Sequence, residues 1–291
     1  MSDVLLRGEW PHLNIRVMLL EASEVCELIQ TFHQSSGLAR EVLNKCIAAG
    51  LLTSPLLMED ERFTLRWQYE GELGTILVDV AADGGIRAYP QCLKLREESR
   101  AVAFGAGAKL GLVKSNPYRR LNSGMTLADQ EDPALDLGTY FELSDQLPTI
   151  CRVSITNHRV LGLMFQAMPK AHRDHLEQLG PWATTFVHEL AQVDLFNPMA
   201  VSNWLLKGLQ TAGCPAEAWK HHISLKPHHF CNCSTEKIRE VLRGLPVEEL
   251  EAMIREDGGA QLDCQFCARS IRFEASDLQA VIKSKSQDRT T

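Results

Sequence analysis

Four cysteines near the end of the chain constrain its fold more than any other feature. They stand in two tight pairs, Cys231-Asn232-Cys233 and Cys264-Gln265-Phe266-Cys267, with residues 234–263 between them. Thiolate sulfur is a soft ligand, and four thiolates complete the tetrahedron that Zn²⁺ takes in structural sites. A single C-x-x-C is compatible with a redox motif. Two pairs point instead to one Zn²⁺ held by Cys231, Cys233, Cys264 and Cys267. Two buried cysteine pairs or two stable disulfides are the plainer alternatives. The chain holds nine cysteines, an odd number, and its first residues lack the basic start and long apolar core of a secretion signal. Both features point to a reducing, cytoplasmic setting. There, paired cysteines bind metal or sense redox state rather than staple a fold.

The sequence between the pairs reads as a folded unit. Ser234 and Thr235 are helix-capping types, and Ile238, Val241 and Leu242 recur at helical spacing. Gly244 can close that helix. Pro246 suits the first position of a second helix, with Glu248 and Glu249 at its positive end and Val247, Leu250 and Ile254 as its apolar stripe. Asp257-Gly258-Gly259 is a turn signal. A short hairpin is expected next, with Cys264 and Cys267 at its tip and Ile271 and Phe273 on its way out. Ser276-x-x-Gln279 reads as a capping box for a last helix carrying Leu278, Val281 and Ile282. A unit of this size, 231–291, has a thin core, so metal ligation would supply much of its folding free energy.

These residues resemble the redox-regulated heat-shock protein 33 family, the 33 kDa chaperonins of bacteria. The matching pieces are Cys231-Asn232-Cys233-Ser234, Glu256-Asp257-Gly258 and Cys264-Gln265-Phe266-Cys267. Upstream, Ser144-Asp145-Gln146-Leu147-Pro148-Thr149 and Gln166-Ala167-Met168-Pro169 match family segments in the right order, and Ile15-Arg16-Val17 resembles the family's start. The chain departs from the family at Ala88, usually glycine, and has only Gly162 where two glycines are common before the last strand.

The rest of the chain reads as an α+β core over 1–169, with a mostly antiparallel sheet and flanking helices. Strands are expected at 13–20, 63–69, 75–80, 86–89, 149–156 and 160–168, and helices from Ser23 to Gln34, Ser36 to Leu52 and Asp136 to Leu143. Phe63, Leu65, Trp67 and Tyr69 alternate with polar residues, as a half-buried strand does. Cys46 fits a small core hydrophobe. Gly105-Ala106-Gly107-Ala108-Lys109-Leu110-Gly111 is a poor dinucleotide fingerprint, because its third glycine is one place late and no βαβ unit surrounds it. No Walker loop supports ATP-driven action.

Residues 170–230 read differently, as helical patches broken at Gly180-Pro181, Asn197-Pro198 and Gly213-Cys214-Pro215. An ordinary packed helical linker and a metastable one are both open readings. His221, His222, His228 and His229 crowd its end as a solvated polar stretch; His228 or His229 could compete for metal, but four cysteines already fill a tetrahedron.

The resemblance implies the function. It implies an ATP-independent holdase that is monomeric, zinc-bound and inactive when reduced. Oxidation would join Cys231 to Cys233 and Cys264 to Cys267, release the zinc, unfold the linker and give an active homodimer that holds unfolding or oxidatively damaged client proteins. Trp182, Phe186, Trp204 and Leu205 are the candidate client-binding residues. No residue is catalytic on this reading. A zinc-ribbon nucleic-acid-binding or regulatory module is the alternative, but a net charge of −7 argues against a phosphate-backbone binder, and only Arg269 and Arg272 flank the second pair. A thiol oxidoreductase using Cys264 and Cys267 would need a thioredoxin-like βαβ setting and no Cys231 or Cys233. No apolar run reaches membrane-spanning length.

Overall fold

The structure is a computed structural model that describes residues 2–288; Met1 and residues 289–291, which the expected domain limits include, lie outside it. Tertiary contacts divide the chain into two units, Met1–Phe230 and Cys231–Thr291.

The first unit opens with strands β1 (Val4–Trp10) and β2 (Ile15–Glu21), then helices α1 (Ser23–His33) and α2 (Gly37–Thr53). Strands β3 (Arg62–Gln68), β4 (Thr75–Ala81) and β5 (Gly85–Pro90) form a meander. A short helix α3 (Arg100–Phe104) precedes β6 (Lys109–Ser115) and β7 (Arg120–Leu127). Helix α4 (Pro133–Ser144) leads to the hairpin of β8 (Thr149–Thr156) and β9 (Arg159–Ala167). Helices α5 (Arg173–Glu189) and α6 (Pro198–Ala212) follow, and strands β10 (Lys220–Leu225) and β11 (His228–His229) end the unit.

These strands make two sheets rather than the single one expected. The first has the order β10-β1-β2-β9-β8 and the second β11-β5-β4-β3-β6-β7. Every pairing is antiparallel except β11 with β5. Helix α2 lies in the core between them, packing on β4 and on β9. Its apolar face admits this because glycines clear both approaches. A Cβ on Gly50 would sit 2.9 Å from Val78 Cγ1, and one on Gly162 of β9 would sit 3.0 Å from Leu52 Cδ1.

The inner strands of the first sheet, β1, β2 and β9, are buried on both faces. Leu5, Met18, Leu20 and Met164 face α2, while Leu6, Trp10, Val17, Leu19 and Phe165 face a second core shared with α5 and α6. β1, Val-Leu-Leu-Arg-Gly-Glu-Trp, lies outside the expected strands; its apolar run is short and is interrupted by Arg7 and Glu9.

Residues 170–230 depart most from expectation. Gly180-Pro181 does not break the helix: α5 runs through Pro181, whose side chain is exposed. The segment is also not helical throughout, because β10 pairs with β1 and β11 with β5. Asn197 caps α6 as expected, accepting from the Met199 and Ala200 N–H groups, with Pro198 in the first turn. Ser23 lies inside α1 and caps nothing; its hydroxyl accepts from the Val160 N–H.

The second unit has helices α7 (Thr235–Gly244) and α8 (Val247–Asp257), a hairpin of β12 (Gly259–Asp263) and β13 (Ser270–Glu274), and helix α9 (Ala275–Asp288). Ser234 caps α7, accepting from the Lys237 N–H at 3.2 Å. Pro246 sits one place earlier than expected, at the cap of α8. Half of the expected capping box is replaced: Asp277, in the first turn of α9, accepts from the Glu274 N–H at 2.9 Å, and Ser276 is already helical. The buried core here is Leu242, Leu250, Phe273, Leu278 and Val281.

Candidate metal centre

Two short segments of the second unit build the centre. Cys231 and Cys233 stand in the extended stretch just before α7, and Ser234, by capping that helix, fixes where the stretch ends. Cys264 and Cys267 occupy the tip of the β12–β13 hairpin. The tip is closed by Cys264 N–H to the Arg269 carbonyl and Ala268 N–H to the Cys264 carbonyl, both at 2.9 Å. Ala268 adopts φ 54°, the left-handed conformation the tight turn requires.

The four Sγ atoms lie within 4.8 Å of one another, and they form the one such metal-capable cluster among the described residues. Cys231 Sγ lies 3.6 Å from Cys264 Sγ, and Cys233 Sγ lies 3.5 Å from Cys267 Sγ. A tetrahedron with metal–sulfur bonds of about 2.3 Å has edges of about 3.8 Å, so these separations fit one tetrahedral ion. They are far longer than the ~2.05 Å of a disulfide, and all nine cysteines are free. Both of these close separations run between the two motifs.

The turn also steers protons. Burial alone would push the Cys264 thiol up, but N–H groups of Phe266 and Cys267 and the thiols of Cys231 and Cys267 favour its thiolate and bring it to about 7. Burial and the thiols of Cys267, Cys231 and Cys264 push Cys233 up to about 12. Burial likewise raises Cys267, opposed by the Arg269 N–H. Backbone N–H groups aimed at sulfur are what a zinc knuckle offers its thiolates.

The remaining cysteines are unlike these. Cys26, Cys46 and Cys151 are buried in the core between the sheets, and burial pushes each thiol upward. Cys214 packs against α5, its thiol raised by burial and donating to Gln178 Oε1 at 3.3 Å. His228 and His229 are fixed by β11 beside β5, where the Phe32 ring packs on His229. Trp182, Phe186, Trp204 and Leu205 are buried together between α5, α6 and the first sheet. Sequence reasoning missed the polar ties that hold this layer: His188 Nδ1 to Ser154 Oγ at 2.7 Å, and the Arg152 Nε–H donating to Thr184 Oγ1 at 3.0 Å. Neither follows a local pattern.

A two-sheet α+β unit followed by a small unit with a four-thiol cluster that could hold a metal ion defines a two-part protein. A family model described as Hsp33 protein matches residues 3–274. The chain belongs to the Hsp33 family. It is 29% identical to the 33 kDa chaperonin of Gloeobacter violaceus, over 99% of this chain and 98% of that protein. It is 28% identical to the 33 kDa chaperonin of Thermus thermophilus, over 96% of this chain and 86% of that protein. The crystal structure of a 33 kDa chaperonin, a heat shock protein 33 homolog, from Thermotoga maritima superposes with a TM-score of 0.81 at 21% identity, covering 98% of this chain and 99% of that one. Among the described residues, no helix is long and apolar enough to cross a membrane.

Proposed function

We propose that this chain is a cytoplasmic, ATP-independent holdase chaperone, closed when its four thiols are reduced and opened by their oxidation. The observation that carries the reading is the cluster of four Sγ atoms within 4.8 Å in a unit with so small an apolar core. Cys231, Cys233, Cys264 and Cys267 would hold one Zn²⁺ in the reduced protein. When bound, the ion keeps the sulfurs deprotonated and supplies a cross-link that in finger peptides is worth roughly 10–16 kcal/mol.

The residues then perform the switch. A thiolate attacks peroxide, taking one oxygen as sulfenic acid and releasing hydroxide. A second thiolate attacks that sulfur, expels hydroxide and closes a disulfide. The pairs proposed are Cys231 with Cys233 and Cys264 with Cys267. Close sequence neighbours remain close once the four-way tie is broken, whereas partners from different motifs pay the closure entropy of the segment between them. A second unit without its cross-link loses most of its stability, and residues 170–230 then open as a metastable linker. That exposes Trp182, Phe186, Trp204 and Leu205 to unfolding client proteins and permits the reduced monomer to become an active homodimer. The nucleic-acid alternative is weakened by Arg272, whose guanidinium pairs with Glu274 at 2.8 Å.

The test is aggregation of a thermally unfolding client, followed by light scattering, beside zinc content and far-ultraviolet spectra. Reduced protein should hold zinc and leave the client to aggregate. Peroxide-treated protein should lose zinc and suppress aggregation without nucleotide, and reductant should reverse both. Holding activity that is equal in the two states would refute the redox switch.

A further inference from the structure

A cavity of about 450 Å³ opens at one end of the core between the two sheets, wholly within the first unit and built from none of the thiol residues. One wall is apolar, made by Phe63, Leu112, Phe141 and Leu147. The other is the inner face of the first sheet, where Arg7, Arg16 and Gln166 reach the same space. The register explains why the two arginines meet. Arg7 stands opposite Met18 and Arg16 opposite Glu9, so they are diagonal neighbours on one face, a spacing within reach of long side chains.

Neither guanidinium has a carboxylate within ion-pair distance among the described residues. Arg7 donates to the Pro55 carbonyl at 2.9 Å, and Arg16 donates to Gln166 Oε1 at 2.7 Å. The Nε of Arg16 is buried with no partner. Burial and the neighbouring Arg7 both disfavour the charge on Arg16, with only Glu9 opposing them, and Glu9 Oε1 is engaged by His222 at 3.1 Å. The other cation at the cavity, Lys114, is neutralised by Glu61 at 2.7 Å. The one carboxyl lining it, Asp145, pairs with neither arginine, and burial pushes its pKa up. Two half-buried cations side by side, each with spare donors, lack the anion that would justify their cost.

We propose that this cavity binds a small amphipathic anion, its oxyanion head between Arg7 and Arg16 and its short apolar body against Phe63, Leu112, Phe141 and Leu147. The guanidinium fork matches a carboxylate or phosphate in two-point contact, and the volume lies within the range of small-ligand sites. The site owes nothing to the thiol centre, so it stands or falls apart from the redox reading.

The test is calorimetric titration of the full-length, reduced, zinc-loaded protein at fixed ionic strength with three probes: hexanoate, hexan-1-ol and inorganic phosphate. Hexanoate should bind saturably at one site per chain, and hexan-1-ol should not. R7Q and R16Q should each weaken hexanoate about tenfold or more, the loss expected for a hydrogen bond to a charged group. R66Q, on the exposed face of β3, should leave it unchanged. In the wild-type protein the Nε resonance of Arg16 should shift with hexanoate and not with hexan-1-ol, a readout that does not depend on any variant folding. Phosphate binding as tight as hexanoate would remove the apolar body from the proposal. Equal binding of hexan-1-ol, or an unmoved Arg16 resonance, would overturn the site.

Discussion

Replacing Gly208 by valine should open the α5–α6 layer while the thiols stay reduced. Gly208 of α6 lies directly against the Trp182 ring of α5. A Cβ there would lie 2.5 Å from Cη2 and 2.6 Å from Cε2 of Trp182, and closer still to Cζ2. Ordinary carbon contacts are about 3.5–4.0 Å, so the ring or the helix must move by about 1.5–2 Å for the Cβ alone. The ring has nowhere to retreat. Phe186, Trp204 and Phe165 stand around it at centroid separations of 3.8, 5.6 and 5.7 Å. Overpacking of this kind costs about 1–3 kcal/mol, and valine adds two further carbons while gaining only a little helix propensity over glycine. At about 2 kcal/mol the open fraction of the layer rises about thirtyfold. Hydrogen exchange of the reduced, zinc-loaded variant should show residues 173–212 exchanging faster by about that factor, with 62–68 protected as in wild type. The same sample should suppress client aggregation without oxidant. Wild-type exchange over 173–212 would show that this contact does not close the layer. An opened layer with no holding activity would show that these aromatic residues are not the client surface.

Single serine replacements of Cys231, Cys233, Cys264 or Cys267 should each lower bound zinc well below one per chain, whereas Cys46→Ser or Cys151→Ser should leave it unchanged; metal analysis of the purified variants decides this. Of the two proposed disulfides, Cys264–Cys267 should form first, because one residue between Cys231 and Cys233 closes a tighter and more strained ring. Mass spectrometry of quenched time points reads the order, and an early species bridged only at 231–233 would reverse it. Asp136 gives a pH test. Its carboxyl is fully buried, one oxygen lacks a partner, and burial raises it from 3.8 to about 7. The folded state therefore binds the extra proton between those values, and stability should fall as pH rises from about 4 to 7, by at most about 1.4 kcal/mol per pH unit. Asp136→Asn should flatten that slope in denaturant titrations and stabilise the protein at pH 8; an unchanged slope would assign the dependence to other groups.

The thiol centre was legible because its chemistry is local. Each cysteine pair lies within four residues of chain, one in an extended stretch and one in a turn, and only the meeting of the two segments needed the fold. The meander β3–β5 was legible too, since Phe63, Leu65 and Trp67 alternate cleanly on a sheet with one wet face. Elements with other surroundings were not. β1 has Arg7 and Glu9 interrupting a short apolar run, and β7 alternates only weakly through Asn122, Ser123 and Gly124. β10, Lys-His-His-Ile-Ser-Leu, is an edge strand whose exposed polar residues hide its pairing. Pro181 signals a break by its missing N–H, yet on an exposed helix face the one lost hydrogen bond is tolerated when Leu179, Trp182, Ala183 and Phe186 bury the opposite face. The Arg7–Arg16 cavity joins residues from β1, β2, β3, β6, α4 and β9, and no spacing in the chain announces it.

The order in which the two sheets are finished has a consequence during synthesis. β1 and β5 become interior strands only when β10 and β11 pair beside them, and those strands are the last pieces of the first unit to be made. A nascent chain that has reached Gly213 holds nearly all of its core yet leaves β1 and β5 as open edges in addition to β8 and β7, and open edges recruit other strands. Residues 220–229 thus cover β1 and β5 late, moving the edge of each sheet outward onto a short polar strand. A ribosome stalled just short of them would present a nearly folded protein that is most prone to pair with its neighbours.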